Sequence, residues 1–178
     1  MRVTTMRARD YWKAVTVDEP DLLDRFLAVL REQNVRFCVI GGQGVNAYAE
    51  PVVSLDLDVV VATSDLARLQ QVLDERFMVE RFSHSLNVSL KGSDLRIQIQ
   101  TDPRYASFVD RAAEQKVLGV RLPVASAEDV LQGKVWAAED PTRRASKRQK
   151  DLADIARLLE QRPDLRARVP EGILHRLI

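Results

Sequence analysis

The chain has 178 residues, of which 46% are hydrophobic and 30% charged, the balance of an ordinary globular protein. Its net charge of +1 excludes a molecule built to coat nucleic acid, so any anion site must be local. The single cysteine, Cys38, excludes an internal disulfide and suits a reducing, cytoplasmic compartment, and no apolar run approaches the roughly 20 residues of a membrane helix.

The N-terminal quarter predicts an arm, a helix, a strand and a short helix. Residues 1–17 carry positive charge with no apolar stretch behind them, which predicts an arm rather than a secretory signal. Asp18 or Glu19 can begin the first helix. Apolar residues then recur at helical spacing: Leu22, Leu23, Phe26, Leu27 and Leu30. The run 36–40 ends at a glycine pair and predicts a strand, and 42–49 predicts a short helix.

The middle of the chain predicts most of a sheet. Residues 52–62 are rich in β-branched side chains and predict a strand. Thr63 or Ser64 is expected to cap the helix that follows. Three more strands are predicted, at 77–82, 86–90 and 95–101. Strand content is therefore expected to lie between residues 36 and 101.

The C-terminal part predicts two helices. Ser126 with Asp129 resembles a capping box and predicts a helix over about 127–139. The second helix is predicted over about 144–161, after the break at Pro141.

We expect an α/β (α+β) fold with two packed parts. Residues 18–123 should form a mixed sheet with flanking helices, and residues 124–178 a helical part packed on that core. No flexible linker separates the two parts, so they should pack together.

Asp56 and Asp58 are the most informative residues of the predicted second strand. Alternate side chains of a strand share a face, so both carboxylates point the same way, with Cα atoms about 6.6 Å apart. Two such oxygen ligands can hold Mg²⁺, which keeps waters and substrate phosphates in its shell. The alternative is an exposed edge strand with a solvated acidic face.

Gly41 and Gly42 follow one predicted strand and precede a predicted helix. Glycines at such a place let the backbone approach a phosphate. The alternative is a plain strand-to-helix turn. Gly44 does not complete a dinucleotide-binding fingerprint, because the third glycine is missing.

The stretch from Phe37 to Asp58 reads FCVIGGQGVNAYAEPVVSLDLD. It resembles the core motif of the polymerase-β-like nucleotidyltransferase superfamily: a glycine pair, a short helix, a Ser or Thr, and an Asp-x-Asp strand. In particular it resembles the small bacterial nucleotidyltransferases of abortive-infection and toxin–antitoxin systems.

The resemblance implies a role for each matching residue. Gly41 and Gly42 correspond to the phosphate-side pair, and Ser54 to the hydroxyl two residues before the first carboxylate. Asp56 and Asp58 correspond to the catalytic metal ligands. The implied reaction uses Mg²⁺ or Mn²⁺ to transfer a nucleotidyl group from an NTP to a hydroxyl of RNA, protein or a small molecule. A toxin–antitoxin setting would add a cognate partner protein, and no membrane partner is expected.

Two departures from the family pattern favour other functions. Val52 stands where an Arg often follows the proline, and Gln98 stands where a third carboxylate is expected. A neutral amide cannot take a proton from an attacking hydroxyl. Asp102 and Asp94 are the nearby carboxylates that could replace it. The alternatives are a degenerate member that binds nucleotide, RNA or a partner without catalysis, or the regulatory half of a two-protein module.

The C-terminal helices carry two basic features. Lys134 falls inside an apolar stripe, so it either reaches a nucleotide phosphate or an acidic site residue, or extends its ammonium to solvent from the helix edge. Lys150-Asp151 fits a pair that the family often has on the next helix. Five basic residues lie close together: Arg143, Arg144, Lys147, Arg148 and Lys150. They favour a solvated helix face over a surface for RNA or polyphosphate.

Overall fold

The structure, a computed structural model, describes residues 21–177. The predicted N-terminal arm and the helix start at Asp18 or Glu19 lie outside the described residues. The first described helix, α1, spans Leu22–Glu32. Its buried residues include all five of the predicted apolar set, so the helical spacing was interpreted correctly.

Seven strands of the described residues form one mixed sheet, in the order β3-β4-β5-β2-β1-β7-β6. The pairs β1/β7 and β2/β5 are parallel, and the other neighbours are antiparallel. The strands are β1 Phe37–Ile40, β2 Asp56–Val61, β3 Met78–Arg81, β4 Ser85–Ser89, β5 Arg96–Gln100, β6 Ala113–Val117 and β7 Val120–Val124. The mixed sheet predicted from the sequence is confirmed.

The β6–β7 hairpin lies outside the range 36–101 to which the sequence confined the strands, and that prediction was wrong. Residues of β6 are mostly exposed, because β6 pairs with β7 at the edge of the sheet that the described residues form. Such a strand needs no alternating apolar pattern. In β7, Pro123 argues against a strand when only the sequence is considered. Strand β2 is also shorter than predicted, because residues 52–55 form a loop that exposes Val52, Val53 and Leu55.

Five further helices and two 3-10 helices complete the described residues. They are α2 Gly41–Asn46, α3 Thr63–Arg76, α4 Ala127–Glu139, α5 Ala145–Gln161 and α6 Glu171–Leu174, with 3-10 helices at Pro103–Arg111 and Pro163–Arg168. Ser126 caps α4 as predicted, since its Oγ accepts from the Asp129 N–H at 3.2 Å. Neither Thr63 nor Ser64 caps α3: Ala62 holds that position, and no side chain caps the helix.

The sheet separates two hydrophobic cores. Side chains alternate along β1, so Val39 joins the core on one face while Cys38 and Ile40 join the core on the other. Helices α1 and α3 cover the first face, and α4 and α5 cover the second. Within residues 21–177, no helix has the length and apolar character needed to cross a membrane.

Candidate functional site

Asp56 and Asp58 lie on β2 and line one cleft, with a volume of about 260 Å³. Between and after them, Leu57, Val59 and Val61 point to the opposite face and are buried in the first core. The strand is therefore anchored on one side and carries its carboxylates on the other. That other side is the face covered by α4 and α5.

The two carboxylates differ in their surroundings. Asp56 lies 3.9 Å from the ammonium of Lys147, measured from Oδ2 to Nζ. Asp58 is partly buried, and among the described residues its carboxylate has neither a hydrogen bond nor an ion pair. Burial raises the pKa of Asp58, Lys134 opposes that rise, and Asp56 adds to it. A cation between the two carboxylates would relieve both the burial and the repulsion.

Gly41 lies directly against the Asp58 carboxylate. Its φ of +63° is in the left-handed region, and a Cβ there would lie 2.7 Å from Asp58 Cγ. Only glycine leaves room for the carboxylate at this place. A Cβ on Gly42 would come within 3.6 Å of Ser54 Oγ, so both glycines border the cleft.

Ser54 is buried immediately before β2 and fixes the start of that strand. Its Oγ donates to the Asp56 carbonyl at 3.3 Å and accepts from the Asp56 N–H at 3.4 Å. Its own carbonyl accepts from Nε2 of Gln43, a buried side chain on α2, at 3.2 Å. The hydroxyl that matches the family motif thus orients the backbone that carries the first carboxylate.

Strand β5 places Gln98 beside Asp58 and Arg96 beside Asp56, because the two strands pair in that register. Both side chains line the cleft. The predicted position of Gln98 on a neighbouring strand therefore holds.

Asp102 and Asp94 do not line this cleft. Asp102 caps a 3-10 helix and accepts from Arg104 Nε and Nη2 at 2.9 and 2.7 Å. The hydrogen bonds from Arg104 lower the pKa of Asp102. Asp94 is exposed in the turn before β5. Neither aspartate is brought to the place that Gln98 occupies.

Lys134 lines the cleft but is only 8% exposed, so it does not extend to solvent from the helix edge. Its ammonium lies 3.0 Å from Asp151 and 2.7 Å from Asp154, both buried on α5. Burial alone would lower the pKa of Lys134, but Asp154 and Asp151 outweigh it and the net change is upward. Lys134 therefore reaches acidic residues of α5, one of which also lines the cleft.

The cleft has a basic wall, in which Arg96 was missed in the sequence and the other members belong to the basic cluster that the sequence showed. Its members are Arg96, Arg143, Lys147 and Lys150. Lys147 and Lys150 are three residues apart on α5 and line the cleft with Asp151. Arg148 instead donates to the carbonyls of Asp140 and Arg143 at 2.8 and 3.2 Å. The basic cluster is thus only partly a solvated face.

The donors of the cleft suit a hard divalent cation. Mg²⁺ and Mn²⁺ accept one or two carboxylates and complete their shells with water and phosphate oxygens. Asp56 and Asp58 provide two such carboxylates side by side. Among the described residues, no cluster of three or more His, Cys, Asp or Glu side chains could hold a metal by itself. The remaining ligands would have to come from a substrate and water.

Several solved structures are similar to this chain over most of its length. ANT(2″)-Ia in complex with adenylyl-2″-tobramycin has a TM-score of 0.57 and 16% identity, covering 88% of this chain and 97% of that one. The lincosamide antibiotic adenylyltransferase LnuA with lincomycin has a TM-score of 0.55 and 14% identity, covering 80% and 99%. An antigenic nucleotidyltransferase-like protein from Paracoccidioides brasiliensis has a TM-score of 0.51 and 15% identity, covering 90% and 100%.

These likenesses show the fold, and the chain has the nucleotidyltransferase fold that its motif predicted. No protein-family model matches the sequence, and no curated protein matches it.

Proposed function

We propose that this chain binds an NTP with Mg²⁺ or Mn²⁺ in the cleft and transfers the nucleotidyl group to a hydroxyl acceptor. The observation that carries the proposal is the carboxylate pair of Asp56 and Asp58, two residues apart on one strand, with Asp58 packed against Gly41. Two like charges in a partly buried place are unfavourable unless a cation joins them. The nucleotidyltransferase fold supports the same function by analogy.

The chain's own residues account for binding and orientation. Asp56 and Asp58 would hold the divalent cation, which when bound supplies positive charge at the α-phosphate. Lys147 and Lys150 would bind the phosphates from α5, since ammonium groups are effective phosphate ligands. In the transfer, the acceptor oxygen forms a bond to the α-phosphorus, the bond to the β-phosphate bridging oxygen breaks, and pyrophosphate leaves.

The step that the cleft residues support least is removal of the proton from the acceptor hydroxyl. Gln98 cannot take it, and Tyr105 in the cleft stays protonated because burial raises its pKa to about 12. A positioned base usually contributes about 10²–10⁴-fold to the rate. Transfer by the native protein should therefore be slow. Gln98 thus also favours a second function, a catalytically degenerate member that binds nucleotide, RNA or a partner protein.

The acceptor should be sought first among small hydroxylated molecules. One of the similar structures is a complex with adenylyl-2″-tobramycin, and another is bound to lincomycin. Antibiotics of those two classes should therefore form the first panel of acceptors. RNA and protein hydroxyls are the other acceptors to include. Phage defence or a toxin–antitoxin pair remains the setting suggested by the sequence motif.

The test is transfer of label from each of the α-labelled NTPs, with Mg²⁺ or Mn²⁺, to total RNA, protein and the antibiotic panel. We expect slow transfer by the native protein, faster transfer by Gln98→Asp and none by Asp58→Asn. Nucleotide binding without transfer by both native protein and Gln98→Asp would favour the degenerate function. Brisk native transfer would show that another group acts as the base.

A further inference from the structure

The environment of Asp56 and Asp58 is asymmetric, with extra positive charge on one side. In the parallel pairing of β2 with β5, Arg96 is the register partner of Asp56 and Gln98 that of Asp58. Register partners on parallel strands point to the same face, and all four side chains line the cleft. The neighbouring strand therefore offers a cation and a neutral amide where further carboxylates would complete a larger metal site.

Arg96 is a cation for which the described part of the chain provides no partner. Among residues 21–177 its guanidinium has no ion pair and no hydrogen bond, and it is exposed at the cleft. Arg143 and Lys134, two other basic groups of the cleft, differ. Arg143 lies 2.8 Å from Asp151, and Lys134 contacts two carboxylates of α5. Arg96 is therefore free to take an anionic ligand.

The side chains around the carboxylate pair disfavour a second divalent ion beside the first. Paired metal ions lie about 3.5–4 Å apart and share bridging ligands. In this cleft, a second ion beside Asp56 would meet Arg96 and the ammonium of Lys147, already 3.9 Å from the carboxylate. Beside Asp58 it would meet the amide of Gln98, which carries no charge to offset it.

We propose that the cleft holds one divalent cation rather than two, and that Arg96 binds the nucleotide phosphates on the side where a second ion would stand. Guanidinium groups bind phosphate oxygens in a bidentate manner, so one arginine can replace both the charge and part of the geometry of an ion. The inference rests on the proposed function, since it concerns the metal and nucleotide of the same cleft.

The test counts bound Mn²⁺ by equilibrium dialysis and electron paramagnetic resonance, with the non-hydrolysable ATP analogue AMPCPP at saturation. We expect one Mn²⁺ per bound AMPCPP in the native protein, with the spectrum of an isolated ion. Gln98→Asp should bind two, with a spectrum broadened by coupling between neighbouring ions.

The role of Arg96 is tested by the affinity for AMPCPP in the same buffer. Arg96→Gln should still bind one Mn²⁺ per nucleotide, with affinity for AMPCPP lowered about tenfold or more. Arg81→Gln is the matched control, because Arg81 lies on β3 of the same sheet and pairs with Asp74 away from the cleft. It should bind AMPCPP like the native protein.

The outcomes separate this inference from the proposed function. Two coupled Mn²⁺ ions in the native protein would overturn the single-cation site and leave the proposed function standing. Native affinity in Arg96→Gln would overturn the role of Arg96. Absence of both AMPCPP and Mn²⁺ binding by the native protein would overturn the proposed function, and the inference with it.

Discussion

The negative charge of Asp58 lowers the stability of the folded protein and favours the binding of a cation. The carboxylate is partly buried beside Asp56 and against the backbone of Gly41. Because the pKa of Asp58 is raised, the folded state binds its proton more tightly than the unfolded chain does. Stability therefore falls as the pH rises from the ordinary carboxyl pKa of 3.8 through the raised value.

Replacement of this carboxylate should separate stability from function. Asp58→Asn should raise the melting temperature of the metal-free protein at pH 7, because the amide carries no charge to desolvate. The same variant should lose the further increase that Mg²⁺ with ATP gives the native protein. Asp110→Asn is the control, since that side chain is 66% exposed and does not line the cleft. Thermal melts in EDTA and in Mg²⁺-ATP measure both effects, and a lower melting temperature for Asp58→Asn in EDTA would contradict the account.

Lys134 has a structural role that the sequence did not reveal. The apolar stripe predicted its inward direction, and the two carboxylates that it joins come from the following helix, α5. Lys134→Ala should therefore lower the stability of the fold and not only weaken nucleotide binding. Removing the ammonium leaves Asp151 and Asp154 buried without their central partner.

Lys134→Met and Lys150→Met should therefore behave differently. Lys134→Met should lose about 3–5 kcal/mol of unfolding free energy, the usual result of breaking a buried ion pair from one side. Lys150→Met should keep native stability, because Lys150 has no partner among the described residues, yet it should bind Mg²⁺-ATP more weakly. Urea denaturation and ATP titration of both variants measure this, and equal stability losses would contradict the assigned roles.

At the scale of elements, α5 fixes the loop that leads into β2. Arg157 Nη1 lies 2.8 Å from Asp154, and its Nη2 donates to Asn46 Oδ1 at 2.8 Å and to the carbonyl of Glu50. Asn46 in turn donates to the Val52 carbonyl at 2.7 Å and accepts from the Val52 N–H at 3.0 Å. Helix α5 thus holds the loop before the carboxylate strand.

Loss of Arg157 should loosen this loop. Arg157→Gln should lower the unfolding free energy by about 1–3 kcal/mol, the cost of leaving partly buried acceptors without a charged donor. It should also speed limited proteolysis within residues 47–55. Arg162→Gln is the matched control, because its pairs with Glu128 and Asp164 are more exposed. Its stability should change by less than about 0.5 kcal/mol. Equal proteolysis of the two variants would contradict the role of Arg157.

The elements that sequence predicted well are those with local signals. The ends of α4 follow from the Ser126 cap and from Pro141, and the motif around Asp56 and Asp58 carries its own spacing. The β6–β7 hairpin also has a local signal, which the sequence analysis missed: the two-residue turn Leu118-Gly119, with φ of +51° and +77°, before the alternating residues of β7. Arg96 could not be assigned to the site, because its place follows from the β2/β5 register, which is a long-range property.

At the scale of the whole molecule, the fold turns a nearly neutral chain into a strongly polarised cleft. The net charge is only +1, yet two carboxylates stand on the sheet while lysines of α5 face them. This arrangement requires the packing of α4 and α5 on the same sheet face that carries Asp56 and Asp58. The site therefore belongs to both parts of the chain.

The central claim is that Asp56 and Asp58 form a metal-dependent nucleotide site. Calorimetric titration of ATP into the native protein, with Mg²⁺ and then with EDTA in its place, tests it most directly. The account predicts saturable binding with Mg²⁺ and affinity at least about tenfold lower in EDTA, a difference of about 1.4 kcal/mol. The variant carrying Asp56→Asn and Asp58→Asn should lose that difference. Equal affinity of the native protein with and without Mg²⁺, or a native metal dependence in the double variant, would contradict it.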